Sequence, residues 1–554
     1  MNEILKKFCP RTEFDSYEDM KQNYRCTAPE RFNFAHDVVD EWARIEPSKT
    51  ALVWTNDDGD MKSFTFGDMK RLSDKAANLI ASYGIGKGDV VLLILKQRPE
   101  AWVCMTALMK LGAVCIPASY QLTPKDIEYR CHIADVKMLI CVDEDVVIGH
   151  IREALPECSS VKTMMSVGEN TPGGFVDFRA ELKKANDVFE RRGDIRNTDM
   201  MLVYFSSGTS GMPKMVWHDF EYPLGHIVTA KYWQCVQENK IHMTQTDSGW
   251  AKFAWGKIFG QWICGAAIGA YDTIKFVPHK LLEAMMRIKP ATFCAPATIY
   301  RYLIKEDLSG YDFSFIEHAS LAGEPLNPEV LRRVKELTGL TVHEGFGQSE
   351  SSVLLANFPW VEIRPGSTGK PSPLYNIDLL DAEGHSCEDG EVGAIVVKDT
   401  DKLHPLGLFH GYWKDEAATN KAWRDGVYDT GDMAWRDADG YYWFVGRGDD
   451  VIKCSGYRIG PFEVESVLLE HPCVLECAVT AAPDPIRGQV VKATIVLAKG
   501  FEPSDALKKE LQDHVKRSTA PYKYPRIVEF VTSLPKTTSD KIRRNVIRQQ
   551  DERK

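Results

Sequence analysis

The 554-residue chain has no apolar stretch long enough to cross a membrane. A span needs about 18–20 consecutive apolar residues, and the best run, WICGAAIGAY from Trp262, is far shorter. None of its fourteen cysteines forms a C-x-x-C pair, which argues against a zinc ribbon or a disulfide framework. Cys473 and Cys477 stand four apart, but no His or Cys cluster joins them in the sequence. Free, reduced thiols are the expected state. Positive charge is in deficit: the net charge is −10, a poor basis for nucleic-acid binding. The first residues, MNEILKKFCPRTEFDSYED, hold no apolar signal core and are too acidic for a typical transit peptide, so a cytoplasmic location is expected. There is no fixed-period repeat and no low-complexity tract.

The chain does carry the ordinary apolar and charged content of a globular protein, and enough residues for more than one core. Strand and helix patterns alternate. SFTFGDMKRLSDKAANLIASYGI reads as a short strand and an amphipathic helix ending near Gly84. DVVLLILK, VCIPAS, KMLICVD and MLVYF read as buried strands, with EAWVCMTALMKLGA as a helix between the first two. That alternation predicts parallel sheets built from crossover units. Around 440–460 the text turns rich in Gly and charge. About a hundred residues follow, enough for a small α+β domain, with strands near CAVTAAP and KATIVLA and a helix over DALKKELQDHVKRS. The expected fold is therefore α/β, with a large N-terminal domain of α/β sheet subdomains over 1–448 and a small α+β C-terminal domain over 449–554.

MLVYF empties into SSGTSGMPK. Its spacing is not that of a Walker loop, where Lys directly follows the second Gly. Glycines still let backbone N–H groups approach phosphate oxygens, the hydroxyls of Ser206, Ser207, Thr209 and Ser210 can donate, and Lys214 adds charge. Alone, such a loop also has a lesser reading as a flexible surface linker. It is followed in order by AGEPLNP from Ala322, HEGFGQSE ending at Glu350, YDTGD ending at Asp432, GRGDD with Arg447, and SLPKTTSDKIRR with Lys541. Each has a bland reading as a solvated turn or surface lysine. A carboxylate after a Gly-x-Ser turn can hold Mg²⁺, and one after a Thr-Gly turn can accept from two ribose hydroxyls.

As a set, in this order, these motifs resemble the adenylate-forming superfamily of acyl-CoA synthetases, luciferases and peptide-synthetase adenylation domains. The resemblance runs from about residue 35 to 548. DSGWAKFAWGKIFGQWICGA from Asp247, together with GFGQSE, is most similar to medium-chain acyl-CoA ligases, with acetyl-CoA synthetases as near neighbours. It implies a two-step reaction: a carboxylate attacks the α-phosphate of ATP to give acyl-AMP and pyrophosphate, and the thiol of coenzyme A then displaces AMP. ATP, Mg²⁺ and coenzyme A are the implied cofactors, and a small carboxylic acid is the implied partner. Alignment and charge neutralisation dominate attack on phosphorus, and no Ser-His-Asp arrangement is needed.

The resemblance also implies roles. Ser206, Ser207, Gly208, Thr209, Ser210, Gly211 and Lys214 cradle the β- and γ-phosphates, with Thr209 and Lys214 as the main side chains. Gly323, Glu324, Pro325, Glu344, Gly345 and Phe346 wall the adenine, and Gly347, Gln348 and Ser349 lead to Glu350, the Mg²⁺ ligand. Asp432 takes the ribose hydroxyls with Arg447 in support. Lys541 bridges the substrate carboxylate and the α-phosphate. The small domain then rotates about Asp449 and presents Ser455, Gly456, Tyr457 and Arg458 to coenzyme A. Four positions depart from the commonest pattern: Ser210 and Ser349 stand for Thr, Phe346 for Tyr, and Asp540 for Gly.

The acyl pocket is assigned to a helix over Asp247–Trp262, with Trp250, Lys252 and Trp255 on its wall and Trp233 and Cys294 beside it. An indole there would cap the depth and favour short, branched or medium acyl groups. The same tryptophans read equally as core aromatics. Two other functions share the motifs. A loader of a carrier protein is disfavoured because no carrier domain is evident in the chain, although a free-standing loader stays open, as does an aryl- or acetyl-CoA ligase. A non-enzymatic binder is disfavoured by the retained Lys541, Glu350 and Asp432. Oligomeric state stays open, a homodimer included.

Overall fold

The computed structural model describes residues 2–206, 212–324, 327–454, 457–484, 487–536 and 542–552. Two large mixed sheets form the bulk. One has eight strands around a parallel core: Val90–Ile94 pairs in parallel with both Val114–Pro117 and Met138–Val142. Met200–Ser206 pairs in parallel with Val114–Pro117 and in antiparallel with Lys214–Asp219. The other has nine strands. Its centre runs in parallel through Ile241–Thr244, Thr292–Ala295, His318–Ala322 and Val342–Phe346. A five-stranded antiparallel sheet carries Val427–Arg436 against Tyr442–Arg447.

The predicted elements form where local chemistry sets them. Helix Phe66–Ser82 starts at a Thr65/Asp68 capping box, and Gly84 follows its end at φ +83°. Helix Glu100–Leu111 is buried along nearly its whole length and stops at Gly112, φ +70°. Strands buried on both faces read as unbroken apolar runs, as parallel strands under helices must.

The last hundred residues form a further sheet, with Val474–Asp484 and Gly488–Leu497 antiparallel and Ile527–Val531 parallel to the latter. Helices Pro461–Leu469 and Asp505–Ser518 pack on it around a core of its own that includes Ile452, Val464, Leu468, Val491, Ile495 and Leu511. The mixed α/β class, with a large N-terminal part and a smaller C-terminal domain, is the architecture expected. One bond across the two parts is Asn327 Nδ2–H to Ser466 O at 2.6 Å.

One expectation needs correcting. Asp247–Trp262 is not one helix. Asp247–Gly249 is a turn closed by Gly249 N–H on Asp247 Oδ1 at 2.7 Å, and Trp250 is the N-cap of helix Ala251–Gly256. The chain breaks at Lys257–Ile258 and resumes as Phe259–Ile263. At Gly256 the helix lies so close to strand Ile241–Thr244 that a Cβ would stand 2.0 Å from Thr244 Oγ1. Lys257 then turns inward, fully buried, and donates to Gln97 Oε1 at 2.5 Å. Burial drives its ammonium down from an ordinary 10.5 to about 7. All fourteen cysteines are free.

Candidate active site

Strand Met200–Ser206 ends where the glycine-rich loop begins, and Ser206 lies opposite Lys214 in the antiparallel register. Ser207, Gly208, Thr209, Ser210 and Gly211 lie outside the described residues, as do Pro325, Ser455, Gly456 and Lys541. For Arg458 the structure gives its place on strand Tyr457–Ile459. The remaining candidates come from six strands, the helical segments Val228–Trp233 and Ala251–Gly256, and the turns that follow Ala322 and Phe346.

The turn Gly347–Glu350 is the hub. Gln348 Nε2–H donates to Thr430 O at 2.8 Å and to Asp432 Oδ2 at 2.5 Å, and Gln348 Oε1 accepts from Tyr428 Oη–H at 2.7 Å. Ser349 O accepts from His218 Nε2 at 2.8 Å. A carbonyl only accepts, so His218 carries its hydrogen on Nε2, and burial holds the ring neutral by pushing its pKa well down. Glu350 O accepts from Phe409 N–H at 2.7 Å. Asp432, 4% exposed, faces Arg447 across the antiparallel pair, with Oδ2 3.5 Å from Nη1. Arg447 Nη1–H also reaches Thr430 O at 3.3 Å, and its Nε lies 4.0 Å from Asp449 Oδ1.

Tyr412, which the sequence analysis did not single out, connects the loop strand to the hub. Its ring lies under Lys214 Nζ at 4.5 Å, and its hydroxyl donates to Glu350 Oε1 at 3.0 Å. Burial raises the Glu350 carboxyl above the usual carboxylate range, opposed by the Tyr412 bond and by the charges of Arg447 and Lys214. The charges of Lys214 and Arg447 thus act on one carboxyl whose pKa burial raises. Such an arrangement of cations suits an anionic group.

The adenine-side candidates divide. Glu324 is held by Thr298, whose N–H donates to Oε1 at 2.9 Å, and by Arg301 Nη2 at 3.0 Å from Oε2. These partners keep its carboxyl ionised to low pH despite burial. Gly323 sits at φ +107° with Lys252 Nζ against it, and that ammonium donates to Ala322 O. Lys252 thus leaves its helix toward the nucleotide-side turn. Phe346 lies 5.8 Å from Phe444. Glu344 is buried, and its carbonyl accepts from Asn357 N–H at 2.9 Å.

Trp233 and Trp255 are buried and meet edge to face at 6.1 Å. A Cβ on Gly345 would stand 2.5 Å from Trp233 Cε2, and one on Gly347 would stand 2.4 Å from Trp255 Cη2. Both indoles therefore press against glycine backbone, Trp233 at the end of strand Val342–Phe346 and Trp255 just after it. Cys294, 1% exposed, belongs to the same apolar cluster. Beyond Trp255 lies His226, fully buried, with neither ring nitrogen hydrogen-bonded among the described residues.

Among the described residues no group of three His, Cys, Asp or Glu side chains could hold a metal ion. Glu350 is a lone carboxylate, which suits magnesium carried on phosphates and water rather than in a protein cage.

Comparison with known proteins fits this geometry. The family model described as "AMP-binding enzyme" matches residues 39–413, and its companion, "AMP-binding enzyme C-terminal domain", matches 463–541. "Acyl-coenzyme A synthetase ACSM3, mitochondrial" of Mus musculus is 39% identical over 97% of this chain and 94% of that protein. The solved acyl-CoA synthetase of Brucella canis is 30% identical with a TM-score of 0.73, covering 98% of this chain and 99% of that one. An anthranilate CoA ligase, AuaEII, solved with anthranoyl-AMP, has a TM-score of 0.86 at 28% identity, covering 94% and 98%.

The relatives' names overturn the cytoplasmic expectation, since the mouse, rat and human proteins are all named mitochondrial. The physical reason is visible at the start of the chain: Ile4, Leu5 and Phe8 of helix Glu3–Phe8 are buried in the core. The composition of that stretch answers to packing and says nothing about address. With a family model over more than half its length and relatives near 40% identity over almost all of it, the chain belongs to the AMP-binding enzymes, among the acyl-coenzyme A synthetases.

Proposed function

We propose that the protein joins a medium-chain carboxylic acid to coenzyme A with cleavage of ATP to AMP and pyrophosphate. The carrying observation is the convergence of Lys214, Glu350, Gln348, Asp432 and Arg447 on one turn, through Tyr412 and the Asp432–Arg447 pair. In this reading the loop 206–214 holds the phosphates, with Ser207, Gly208, Thr209, Ser210 and Gly211 supplying donors and Lys214 charge. Asp432 accepts from the ribose hydroxyls, pre-oriented by Gln348 and Arg447. Gly323, Glu324, Pro325, Gly345 and Phe346 flank the adenine, and Lys252 braces that turn.

Glu350 would hold magnesium, which would neutralise charge on the phosphates. Burial raises the pKa of this carboxyl, Lys214 and Arg447 already oppose that rise, and a bound cation would favour the ionised form further. Lys541 would lie between the substrate carboxylate and the α-phosphate and offset their repulsion. Trp233 and Trp255 close the acyl side against Gly345 and Gly347, with Trp250 and Cys294 nearby. Residues 449–554 would then turn about Asp449 and offer Ser455, Gly456 and Arg458 to coenzyme A. We take the compartment from the relatives' names and propose a mitochondrial location, which subcellular fractionation would test.

The direct test is a panel of carboxylates from C2 to C12, with branched and aromatic acids, incubated with Mg·ATP with and without coenzyme A. The expected result is coenzyme A-dependent AMP release with one optimum of chain length. Pyrophosphate exchange with no turnover on coenzyme A would favour a carrier-protein loader. Silence on every acid would refute the proposal.

A further inference from the structure

The segment that carries Lys541 is pinned at both ends. Before it, Lys536 Nζ donates to Glu476 Oε1 at 2.7 Å on strand Val474–Asp484. After it, Ile542 bridges back to Lys536, and Arg543 N–H donates to Pro535 O at 2.8 Å. Helix Arg544–Glu552 begins at once, and two of its arginines reach the same cluster. Arg544 Nη2 donates to both oxygens of Glu465, at 2.8 and 2.7 Å, and Nε adds a third bond at 3.2 Å. Glu465 also accepts from Val479 N–H at 2.7 Å. Arg548 Nη1 donates to Asp450 Oδ1, and Arg544 Nη1 lies 4.0 Å from Asp450 Oδ2. Asp450, 9% exposed, is the residue after Asp449, and its N–H donates to Arg447 O at 3.0 Å.

Two guanidinium groups and two carboxylates thus share a largely buried cluster. Burying them is a poor source of net stability, because desolvation offsets the attraction. The small domain already has an apolar core to hold it together. What an arginine–carboxylate fork adds is fixed geometry. Here it fixes the helix that follows Lys541 to the chain that leaves Asp449.

We propose that Asp450, with Arg548 and Arg544, forms a positioning cluster for the adenylation lysine. Residues from 450 onward then turn together with the ends of the 536–542 segment, and the pivot is confined to Gly448–Asp449. The proposal rests on the reading of Lys541 as the adenylation lysine. The strands on either side of Ser455 and Gly456 are held differently, by pairing of Ile452–Cys454 with Tyr457–Ile459 and of Cys454 with Gly488. The coenzyme A step is therefore less dependent on the cluster.

The test uses the full chain and two half-reactions: acid-dependent ATP–pyrophosphate exchange, and thioester formation from supplied acyl-AMP and coenzyme A. Asp450→Asn and Arg548→Gln are each expected to lower exchange by about 10- to 100-fold, the scale of an ångström-level misplacement. Thioester formation should stay within about threefold, and the double variant should be no worse than the worse single. Asp450→Glu and Arg548→Lys should recover part of the exchange rate. Unchanged exchange, equal loss in both steps, or losses that multiply in the double variant would overturn the proposal. If Asp450→Asn does not fold, the two Arg548 variants carry the same comparison. Lys541→Ala is run alongside. Loss of exchange there, with none in the cluster variants, sinks the cluster alone. Retained exchange in Lys541→Ala removes the reading beneath it.

Discussion

Trp255→Ala should lengthen the preferred acid. The indole is buried and lies against Gly347, so its removal opens space beside the turn that carries Glu350. Each methylene newly buried there is worth about 0.8 kcal/mol, or about fourfold in specificity. Acids two or three methylenes longer than the native optimum should therefore gain about 15- to 60-fold in kcat/KM relative to that optimum, inside the range a hydrophobic pocket can deliver. The same truncation costs about 3–5 kcal/mol of stability, so Trp255→Leu is the gentler companion and should shift the profile less. The assay is kcat/KM across straight-chain acids at saturating ATP and coenzyme A, with KM for ATP measured separately. A folded variant whose chain-length profile moves less than about threefold would refute the reasoning and return Trp255 to the general core. A uniform loss on every acid, with a raised KM for ATP, would mean that the ring supports the nucleotide turn only.

Further outcomes concern the hub and the core. Glu350 has a raised carboxyl pKa, so exchange should fall as pH drops through a value above the usual carboxylate range; Glu350→Gln should lower exchange and abolish that acid limb in a pH–rate profile. Gly345→Ala would force a methyl to 2.5 Å from Trp233 and should cost about 1–3 kcal/mol in urea melts, with exchange reduced as well. Lys257→Met should stabilise the protein at pH 7. Burial holds the native amine at about 7, so below pH 7 its desolvation costs about 5 kcal/mol, a cost that shrinks to nothing as pH rises toward 10.5. Gln97 loses its partner in that variant at about 1–3 kcal/mol. A net gain of about 1–3 kcal/mol at pH 7 that disappears by pH 10 is expected, and a less stable variant at pH 7 would contradict the assignment.

Much of this architecture is legible in the chain because single-element chemistry decides it. The runs at Val90, Val114, Met138 and Met200 are apolar on both faces, and the Thr65 cap and Gly112 mark helix ends. The joint role of Asp432 and Arg447 comes only from the family resemblance, and the structure pairs the two residues across antiparallel strands. What was not legible depends on contacts distant in sequence. The break after Gly256 falls where the backbone lies against Thr244, and no periodicity in the helix itself announces it. Tyr412 has no motif that would place it between Lys214 and Glu350. Lys252 follows helical spacing to the acyl side, yet its long stem carries the charge to Ala322. Arg544 and Arg548 read as surface charge until Glu465 and Asp450 are brought beneath them.

In the proposed reading, the close seating of two indoles on Gly345 and Gly347 leaves only the backbone of these glycines between the acyl recess and the nucleotide side. The glycines have no atoms left to give up, so the acyl recess can be enlarged only from the tryptophan side. A side chain added to either glycine would run into the indole that it faces. On that reading, selectivity for the acid would drift through Trp233 and Trp255, whereas the glycine backbone between the two sides would stay fixed.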